Sequence, residues 1–191
     1  MAVSAAGAAI FLDKDGTLID DLPYNVDPGR MILAPGAVAG LRRLSCLGYR
    51  LLVVSNQPGV AQGRFDVGAL EPVRQRLAQL LSEQGAHLEG FYYCPHGPDE
   101  GCACRKPLPG MLLKAAAEHQ VDLAASWMIG DILDDVEAGG RAGCRTILID
   151  NGNETLWLRS PLRTPTWIAS DLDAAAQLIQ ATRGMPCLAS L

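Results

Sequence analysis

Two carboxylates stand close together in the segment Asp13-Lys14-Asp15-Gly16-Thr17, where an apolar stretch gives way to a glycine-containing loop. One carboxylate of such a pair can attack phosphorus, which divides one difficult displacement into two easier steps. The other can protonate the leaving alcohol and later deprotonate the attacking water. Gly16 allows a tight turn whose N–H groups can face phosphate oxygens. Taken alone, the pattern is equally compatible with a solvated turn after a strand.

Three further segments carry groups that phosphoryl transfer requires. Ser55 ends an apolar run and offers a hydroxyl that can donate to a phosphoryl oxygen. Lys106 supplies a cation that can neutralise the phosphoryl group and keep a nucleophilic carboxylate ionised. Asp131 and Asp135 follow another apolar run and offer the oxygen ligands that Mg²⁺ prefers. Each residue alone has an ordinary structural explanation, such as a helix cap or a solvated charge. Their order along the chain favours a phosphatase site.

Four metal-ligating side chains crowd into one short segment in the pattern C-x-H-x5-C-x-C: Cys94, His96, Cys102 and Cys104. Three thiolates and one imidazole match a closed tetrahedral Zn²⁺ site, and the alternative is a set of reduced thiols in a flexible loop. Because four protein ligands leave no open coordination position, we expect this zinc to be structural. It would brace the loop that carries Arg105 and Lys106.

The segments that must position these groups alternate in type. Short apolar runs predict strands, and amphipathic segments between them predict helices. The predicted strands are 8–13, 50–55, 90–94, 127–131, 145–150 and 166–170, and the predicted helices are 37–47, 67–83, 111–119, 135–142 and 171–181. The spacing of Ser170 and Asp173 predicts a capping box at the last helix.

The strand and helix order predicts an α/β fold, a doubly wound parallel sheet with helices on both faces. The continuous apolar character of the strands is typical of strands buried on both faces. Ligands of such sheets bind at the carboxyl ends of the strands. Asp13, Ser55 and Asp131 stand at three of these ends, so we expect them to meet.

Composition and charge limit the function further. The chain has 191 residues, which predicts one domain over 1–191, and 49% apolar against 19% charged residues is typical of a globular protein. A net charge of −5 without a basic run disfavours a nucleic-acid partner. The apolar N-terminal stretch lacks a basic export signature, and no apolar run reaches the ~18–20 residues of a membrane span. We expect a cytoplasmic monomer with no membrane partner, and a dispensable tail at 183–191.

The four phosphoryl-transfer segments together resemble the haloacid dehalogenase superfamily, and they cover 13–135, about two thirds of the chain. The resemblance implies that Asp13 is the nucleophile, Asp15 the general acid and base, Ser55 a phosphoryl ligand and Lys106 the balancing charge. It implies further that Mg²⁺ is held by Asp13, the main-chain carbonyl of Asp15 and a second carboxylate. That carboxylate is Asp131, and Asp135 would support the metal site through water.

Two details narrow the class within this superfamily. Dehalogenases of this type lack the second acid of the first motif, so Asp15 favours phosphate chemistry. Phosphomutases keep it but carry a cap domain. The roughly 40 and 50 residues from Asp13 to Ser55 and from Ser55 to Lys106 are already used by predicted strands and helices. We therefore expect no cap domain, and an open site shaped by loops.

Three stretches, 56–65, 91–96 and 104–111, resemble the heptose bisphosphate phosphatase family, whereas the short zinc loop is closer in length to the histidinol-phosphate phosphatases. The resemblance implies that Asn56, Gln57 and Arg105 bind substrate. It favours hydrolysis of the 7-phosphate of D-glycero-D-manno-heptose 1,7-bisphosphate. Histidinol phosphate and other small phosphate esters remain alternatives. A non-catalytic zinc-stabilised binding module is a further alternative, which the presence of Asp13, Asp15 and Lys106 disfavours.

Overall fold

The computed structural model describes residues 7–183, so most of the tail predicted to be dispensable lies outside the described residues. The strands are β1 (Ala9–Leu12), β2 (Arg50–Asn56), β3 (Leu88–Cys94), β4 (Trp127–Gly130), β5 (Arg145–Ile149) and β6 (Trp167–Ala169). The helices are α1 (Ala37–Cys46), α2 (Leu70–Ser82), α3 (Gly110–His119), α4 (Leu133–Ala142) and α5 (Leu172–Arg183).

The six strands form one sheet in the order β3-β2-β1-β4-β5-β6, and every neighbouring pair is parallel. The strand order reverses beside β1, the position at which open α/β sheets bind ligands. Leu12 pairs with Val53 of β2 and with Ile129 of β4, so these three strands end at the same edge. The predicted doubly wound parallel sheet is confirmed.

Both faces of the sheet are covered by helices. Ile10 and Leu12 of β1 belong to a core shared with α1, α2 and α5, whereas Ala9 and Phe11 belong to a second core shared with α3 and α4. All four side chains are fully buried. Burial on both faces explains why the strands are continuously apolar and do not alternate with polar residues.

Several predicted element ends differ in the structure. β3 begins two residues before its predicted start, at Leu88, and α4 begins two residues before its predicted start, at Leu133. Val67–Ala69 forms a 3₁₀ turn before α2, and Val67 is half exposed. The predicted capping box of Ser170 with Asp173 is wrong, because α5 begins one residue later. Asp171 caps α5 by accepting a 2.8 Å hydrogen bond from the N–H of Ala174. Asp173 instead faces α1, where Arg43 lies 3.0 Å from it.

The connections at the carboxyl edge of the sheet are loops and single 3₁₀ turns in the part of the chain from 7 to 183. Within that part no additional domain interrupts the alternation of strands and helices. None of its helices is both long enough and apolar enough to cross a membrane.

Candidate active site and metal centres

A cavity of about 190 Å³ opens at the carboxyl ends of β1, β2 and β4. It brings together Asp13, Asp15, Ser55, Lys106 and Asp131, with Asp21, Asn56, Ile132 and Asn153 beside them. Three residues predicted for catalysis or substrate binding lie outside its lining: Asp135 is buried beneath it, Gln57 lies behind Ser55, and Arg105 lines a neighbouring cavity.

Lys106 is the buried cation of the site, and its side chain is only 2% exposed. Its ammonium group contacts the carboxylate of Asp13, lies 2.6 Å from Asp135 and donates a 2.9 Å bond to the carbonyl of Val54. Burial alone would lower the pKa of Lys106, but Asp13 and Asp135 raise it above its ordinary value. Lys106 therefore remains charged, and its charge is directed at Asp13.

Asn56 holds the main chain of Lys106 through both ends of its amide. Its Nδ2 donates to the Lys106 carbonyl at 3.1 Å, and its Oδ1 accepts from the Lys106 N–H at 3.0 Å. These bonds join the end of β2 to the loop between β3 and α3. The Asn56 side chain, which was predicted to bind substrate, thus already forms hydrogen bonds with the loop that carries Lys106.

Asp15 stands at the mouth of the cavity with a side chain that is 29% exposed. Gln57 donates one amide hydrogen bond to Asp15 (3.1 Å) and another to the hydroxyl of Ser55 (2.8 Å). Burial raises the pKa of Asp15, an effect opposed in part by Lys14, whose Nζ lies 2.6 Å away. A carboxyl with a raised pKa at a cavity mouth is suited to exchanging protons with a leaving group.

Three buried carboxylates, Asp13, Asp131 and Asp135, offer oxygens within 4.8 Å of one another. Burial and repulsion from its two acidic neighbours raise the pKa of Asp131 to about 8. Burial and Asp13 likewise raise the pKa of Asp135 to about 7, although Lys106 opposes the change. Three carboxyl groups this close together fit a hard divalent cation, because carboxylate oxygens are the ligands that Mg²⁺ prefers.

Gly16 makes room for this cluster. Its φ of +79° favours glycine, and a Cβ atom there would lie 2.1 Å from Oδ2 of Asp131. The hydroxyl of the next residue, Thr17, donates to Oδ1 of Asp131 at 3.3 Å. The turn of the first motif therefore packs directly on the carboxylate supplied by β4.

Sequence reasoning missed the loop that follows β5. Asn151 donates to the Gly16 carbonyl (2.7 Å), Asn153 donates to Oδ2 of Asp131 (2.7 Å), and Glu154 accepts from the N–H of Leu133 (2.8 Å). The signal was present, because this polar run follows an apolar strand as Asp13 and Asp131 do. Its position at the carboxyl end of β5 could have identified this loop as part of the candidate site.

The zinc loop brings its four predicted ligands together. Sγ of Cys104 lies 3.1 Å from that of Cys94 and 3.3 Å from Nδ1 of His96, and Sγ of Cys102 lies 3.6 Å from that of Cys94. Tetrahedral Zn²⁺ with bonds of about 2.3 Å to sulfur separates its ligands by roughly 3.5–3.8 Å. The separation of Cys102 from Cys94 lies in this range and the two others fall below it by about 0.2–0.4 Å, so small side-chain movements would fit the cluster to zinc, with Nδ1 as the histidine donor. The sulfurs are too far apart for a disulfide, whose S–S bond is about 2.05 Å.

Arg105 is tied to this loop and faces the neighbouring cavity. Its Nη1 donates to the His96 carbonyl at 3.3 Å. The cavity has a volume of about 260 Å³ and shares Lys106 with the active-site cavity. Asp134 lines its far side, where Arg163 pairs with it at 2.7 Å. The predicted substrate contact therefore lies beside the phosphoryl site rather than within it.

The parallel sheet, the two aspartates of the first motif and the lysine directed at the first of them define a haloacid dehalogenase-like hydrolase. Residues 103–175 match the model of the HAD-hydrolase-like family. The Pseudomonas aeruginosa D-glycero-beta-D-manno-heptose-1,7-bisphosphate 7-phosphatase is 38% identical over 171 residues, 89% of this chain and 96% of the relative. The protein of that name from Helicobacter pylori is 39% identical over 84% of this chain and 90% of its own. This chain belongs to the D-glycero-beta-D-manno-heptose-1,7-bisphosphate 7-phosphatase family.

The fold agrees with that assignment. The crystal structure of D,D-heptose 1,7-bisphosphate phosphatase from B. bronchiseptica, complexed with magnesium and phosphate, superposes with a TM-score of 0.81. The match covers 91% of this chain and 99% of that one at 38% identity. The resemblance to the haloacid dehalogenase superfamily and to its heptose bisphosphate phosphatases is thereby confirmed.

Proposed function

We propose that this protein hydrolyses the 7-phosphate of D-glycero-D-manno-heptose 1,7-bisphosphate through a phosphorylated aspartate. The observation that carries the proposal is the contact between the Lys106 ammonium and Asp13, with Asp15 at the mouth of the same cavity. The choice of substrate is supported by relatives of that name at 38–39% identity over most of the chain.

In the first step a carboxylate oxygen of Asp13 attacks phosphorus, and the bond from phosphorus to the sugar oxygen breaks. Asp15 donates its proton to that leaving oxygen, so the sugar departs as a neutral alcohol. The burial that raises the pKa of Asp15 favours the protonated form needed here. The Lys106 ammonium group contacts the Asp13 carboxylate, so its positive charge lies where the carboxylate meets the phosphoryl group.

In the second step water attacks the phosphorus of the acyl phosphate, and the bond to Asp13 breaks. Asp15, now a carboxylate, removes a proton from this water, which returns both side chains to their starting forms. The Ser55 hydroxyl donates to a phosphoryl oxygen throughout. Gln57 fixes the position of Asp15 relative to Ser55 through its two hydrogen bonds.

Asp13, Asp131 and the main-chain carbonyl of Asp15 would hold the catalytic Mg²⁺. When bound, the ion supplies positive charge that stabilises the phosphoryl oxygens in the transition state. Asp135 supports Lys106, which lies 2.6 Å from it, so that one acid of the last motif serves the metal and the other the lysine. Asn56 serves as a positioning residue for Lys106.

The test is phosphate release from the two anomers of the heptose 1,7-bisphosphate, histidinol phosphate and a nucleotide. We expect the bisphosphate to be preferred and the product to keep its phosphate at position 1, which ³¹P NMR identifies. Asp13→Asn should remain folded and lose turnover. Preference for histidinol phosphate, or full activity of a folded Asp13→Asn protein, would refute the proposal. The cytoplasmic location and the monomeric state stay predictions.

A further inference from the structure

The loop after β5, residues 151–154, reaches two catalytic segments that are distant in sequence. It contacts the turn of the first motif through Gly16 and the acidic end of β4 through Asp131. Neither contact is needed to complete the sheet, because β5 has already ended at Ile149. The loop therefore has a role beyond joining β5 to β6.

Asn153 makes the contact closest to the chemistry. Its Nδ2 donates to Oδ2 of Asp131 at 2.7 Å, while Thr17 donates to Oδ1 of the same carboxylate at 3.3 Å. Each oxygen of Asp131 thus accepts a hydrogen bond from a side chain, and the two donors come from different segments. A carboxylate oxygen can accept more than one bond, so both oxygens keep capacity to face the cavity.

The loop is itself anchored on both sides of Asn153. Asn151 donates to the Gly16 carbonyl at 2.7 Å, and its own side-chain oxygen accepts from the N–H of Asn153 at 3.1 Å. Glu154 accepts from the N–H of Leu133, the first residue of α4, at 2.8 Å. These bonds fix the main chain at Asn153 relative to both the turn after β1 and the start of α4. An exposed loop held in this way can orient a side chain with precision.

We propose that Asn153 is a positioning residue for the metal ligand Asp131, held in place by Asn151 and Glu154. The inference rests on the proposed function, because it takes Asp131 as a ligand of Mg²⁺. Hydrogen-bond partners of metal ligands fix ligand orientation, and their loss typically costs about 10- to 100-fold in metal affinity or activity. Asn153 itself is exposed, so its replacement removes no packing from the core.

The experiment measures Mn²⁺ and Mg²⁺ binding by calorimetry on zinc-loaded protein without substrate, for wild type, Asn153→Ala and Thr155→Ala. Thr155 is the matched control, since it is exposed and directly follows this loop. We expect Asn153→Ala to weaken metal binding by about tenfold or more. In turnover, it should raise the Mg²⁺ concentration needed for half-maximal rate, and saturating Mg²⁺ should restore kcat to about a third of wild type or better. Thr155→Ala should match wild type in both assays.

Two results would overturn the inference. Unchanged metal affinity with a higher KM for the phosphate ester would make Asn153 a substrate contact. Equal losses in Asn153→Ala and Thr155→Ala, or a loss that saturating Mg²⁺ does not rescue, would indicate a general effect of the loop. Metal binding is measured without substrate, so it stays informative if wild type prefers another ester. A wild type that releases no phosphate from any ester would defeat the proposed function alone.

Discussion

At the residue scale, the site depends on how Lys106 is delivered to Asp13. The lysine is carried by the zinc loop, and its main chain is held by the two hydrogen bonds from Asn56. Small displacements of a catalytic group are costly, up to roughly 100-fold for about 1 Å. We predict that Asn56→Ala lowers kcat by 10- to 100-fold, on the order of 1.4–2.7 kcal/mol, with little change in KM. Steady-state kinetics with excess Mg²⁺ would measure both constants.

Asn25 offers a matched control for that substitution. Its amide also makes two bonds to the main chain of one residue, Asp27, each at 3.2 Å, but in an exposed turn. Asn25→Ala removes the same kind of contact away from Lys106 and should leave kcat unchanged. A similar loss of kcat in both variants would mean that Asn56 acts through general stability and not through Lys106.

The individual site residues differ in how far sequence could predict them. Asp13 and Asp131 directly follow apolar strands and Ser55 lies near the end of one, so their meeting at one edge could be deduced from the parallel order. The contact of Asn56 with Lys106 joins residues 50 positions apart, and nothing in their types indicates it. Asn153 belongs to a polar run that follows β5, which is a signal that sequence offers, but its contact with Asp131 depends on the path of the loop.

At the scale of elements, the zinc loop combines a structural and a recognition role. Arg105 is bound to the His96 carbonyl and lines the cavity beside the phosphoryl site. Its guanidinium can grip a second phosphate or sugar oxygens in a bidentate manner that lysine cannot reproduce. We predict that Arg105→Ala lowers kcat/KM for the bisphosphate by 10- to 100-fold, about 1.4–2.7 kcal/mol, and affects p-nitrophenyl phosphate less.

Cys102→Ser is the informative comparison for Arg105→Ala. Loss of one zinc ligand loosens the whole loop and displaces Lys106, so both substrates should suffer. Specificity constants for each variant on both substrates, with Mg²⁺ in excess, make the distinction. Equal losses on the two substrates for Arg105→Ala would assign Arg105 to the chemical step or to folding instead of recognition.

Glu137 joins helix α4, whose first turn carries Asp135, to the segment that contains Arg163. Both carboxylate oxygens accept bonds from arginines, Arg141 at 2.7 Å and Arg163 at 2.7 Å. Burial acts to raise the pKa of Glu137, but these two guanidinium groups outweigh it and hold the pKa below its ordinary value. A depressed pKa stabilises the folded state above the unfolded-state value, near 4.3 for glutamate, and the contribution is lost as the pH falls through the folded-state value.

We therefore predict that Glu137→Gln lowers the free energy of unfolding at pH 7 by about 1.5–3 kcal/mol, the range for hydrogen bonds to charged groups. The difference from wild type should shrink as the pH falls below about 4.3. Urea unfolding at several pH values measures this. Glu71→Gln is the control, because Arg74 similarly lowers the pKa of Glu71, to about 2, but the pair is exposed and should contribute little. A pH-independent difference for Glu137→Gln would point to packing instead of charge.

Element types were easier to predict than element ends. The apolar runs identified the strands because burial on both faces leaves few polar positions within them. The start of α5 was misplaced because Ser170 and Asp171 are both favourable caps, and only the packing of Asp173 against Arg43 distinguishes them. Val67–Ala69 likewise looks helical by composition, but it forms a 3₁₀ turn.

At the scale of the whole molecule, two metal centres of opposite design share one edge of the sheet. The zinc cluster uses four soft or borderline donors within one loop, whereas the carboxylate cluster draws Asp13 and Asp131 from two separate strands. A site with four protein ligands holds its ion tightly, but a site with few carboxylates, waters and a transient phosphate holds Mg²⁺ weakly. The two ions should therefore respond differently to the same chelator.

We predict that purified protein contains about one zinc per chain and that mild EDTA removes activity without removing zinc. Added Mg²⁺ should then restore full activity, because only the carboxylate site was emptied. Harsher treatment that extracts zinc should also release the segment that carries Lys106, so Mg²⁺ alone should no longer restore turnover, and the melting temperature should fall. Metal analysis and activity after each treatment test this order. Absence of zinc from protein made with zinc available, or full activity after zinc extraction, would show that catalysis does not depend on the zinc loop. The positioning of Lys106 would then rest on its contacts with Asn56, Asp135 and the Val54 carbonyl.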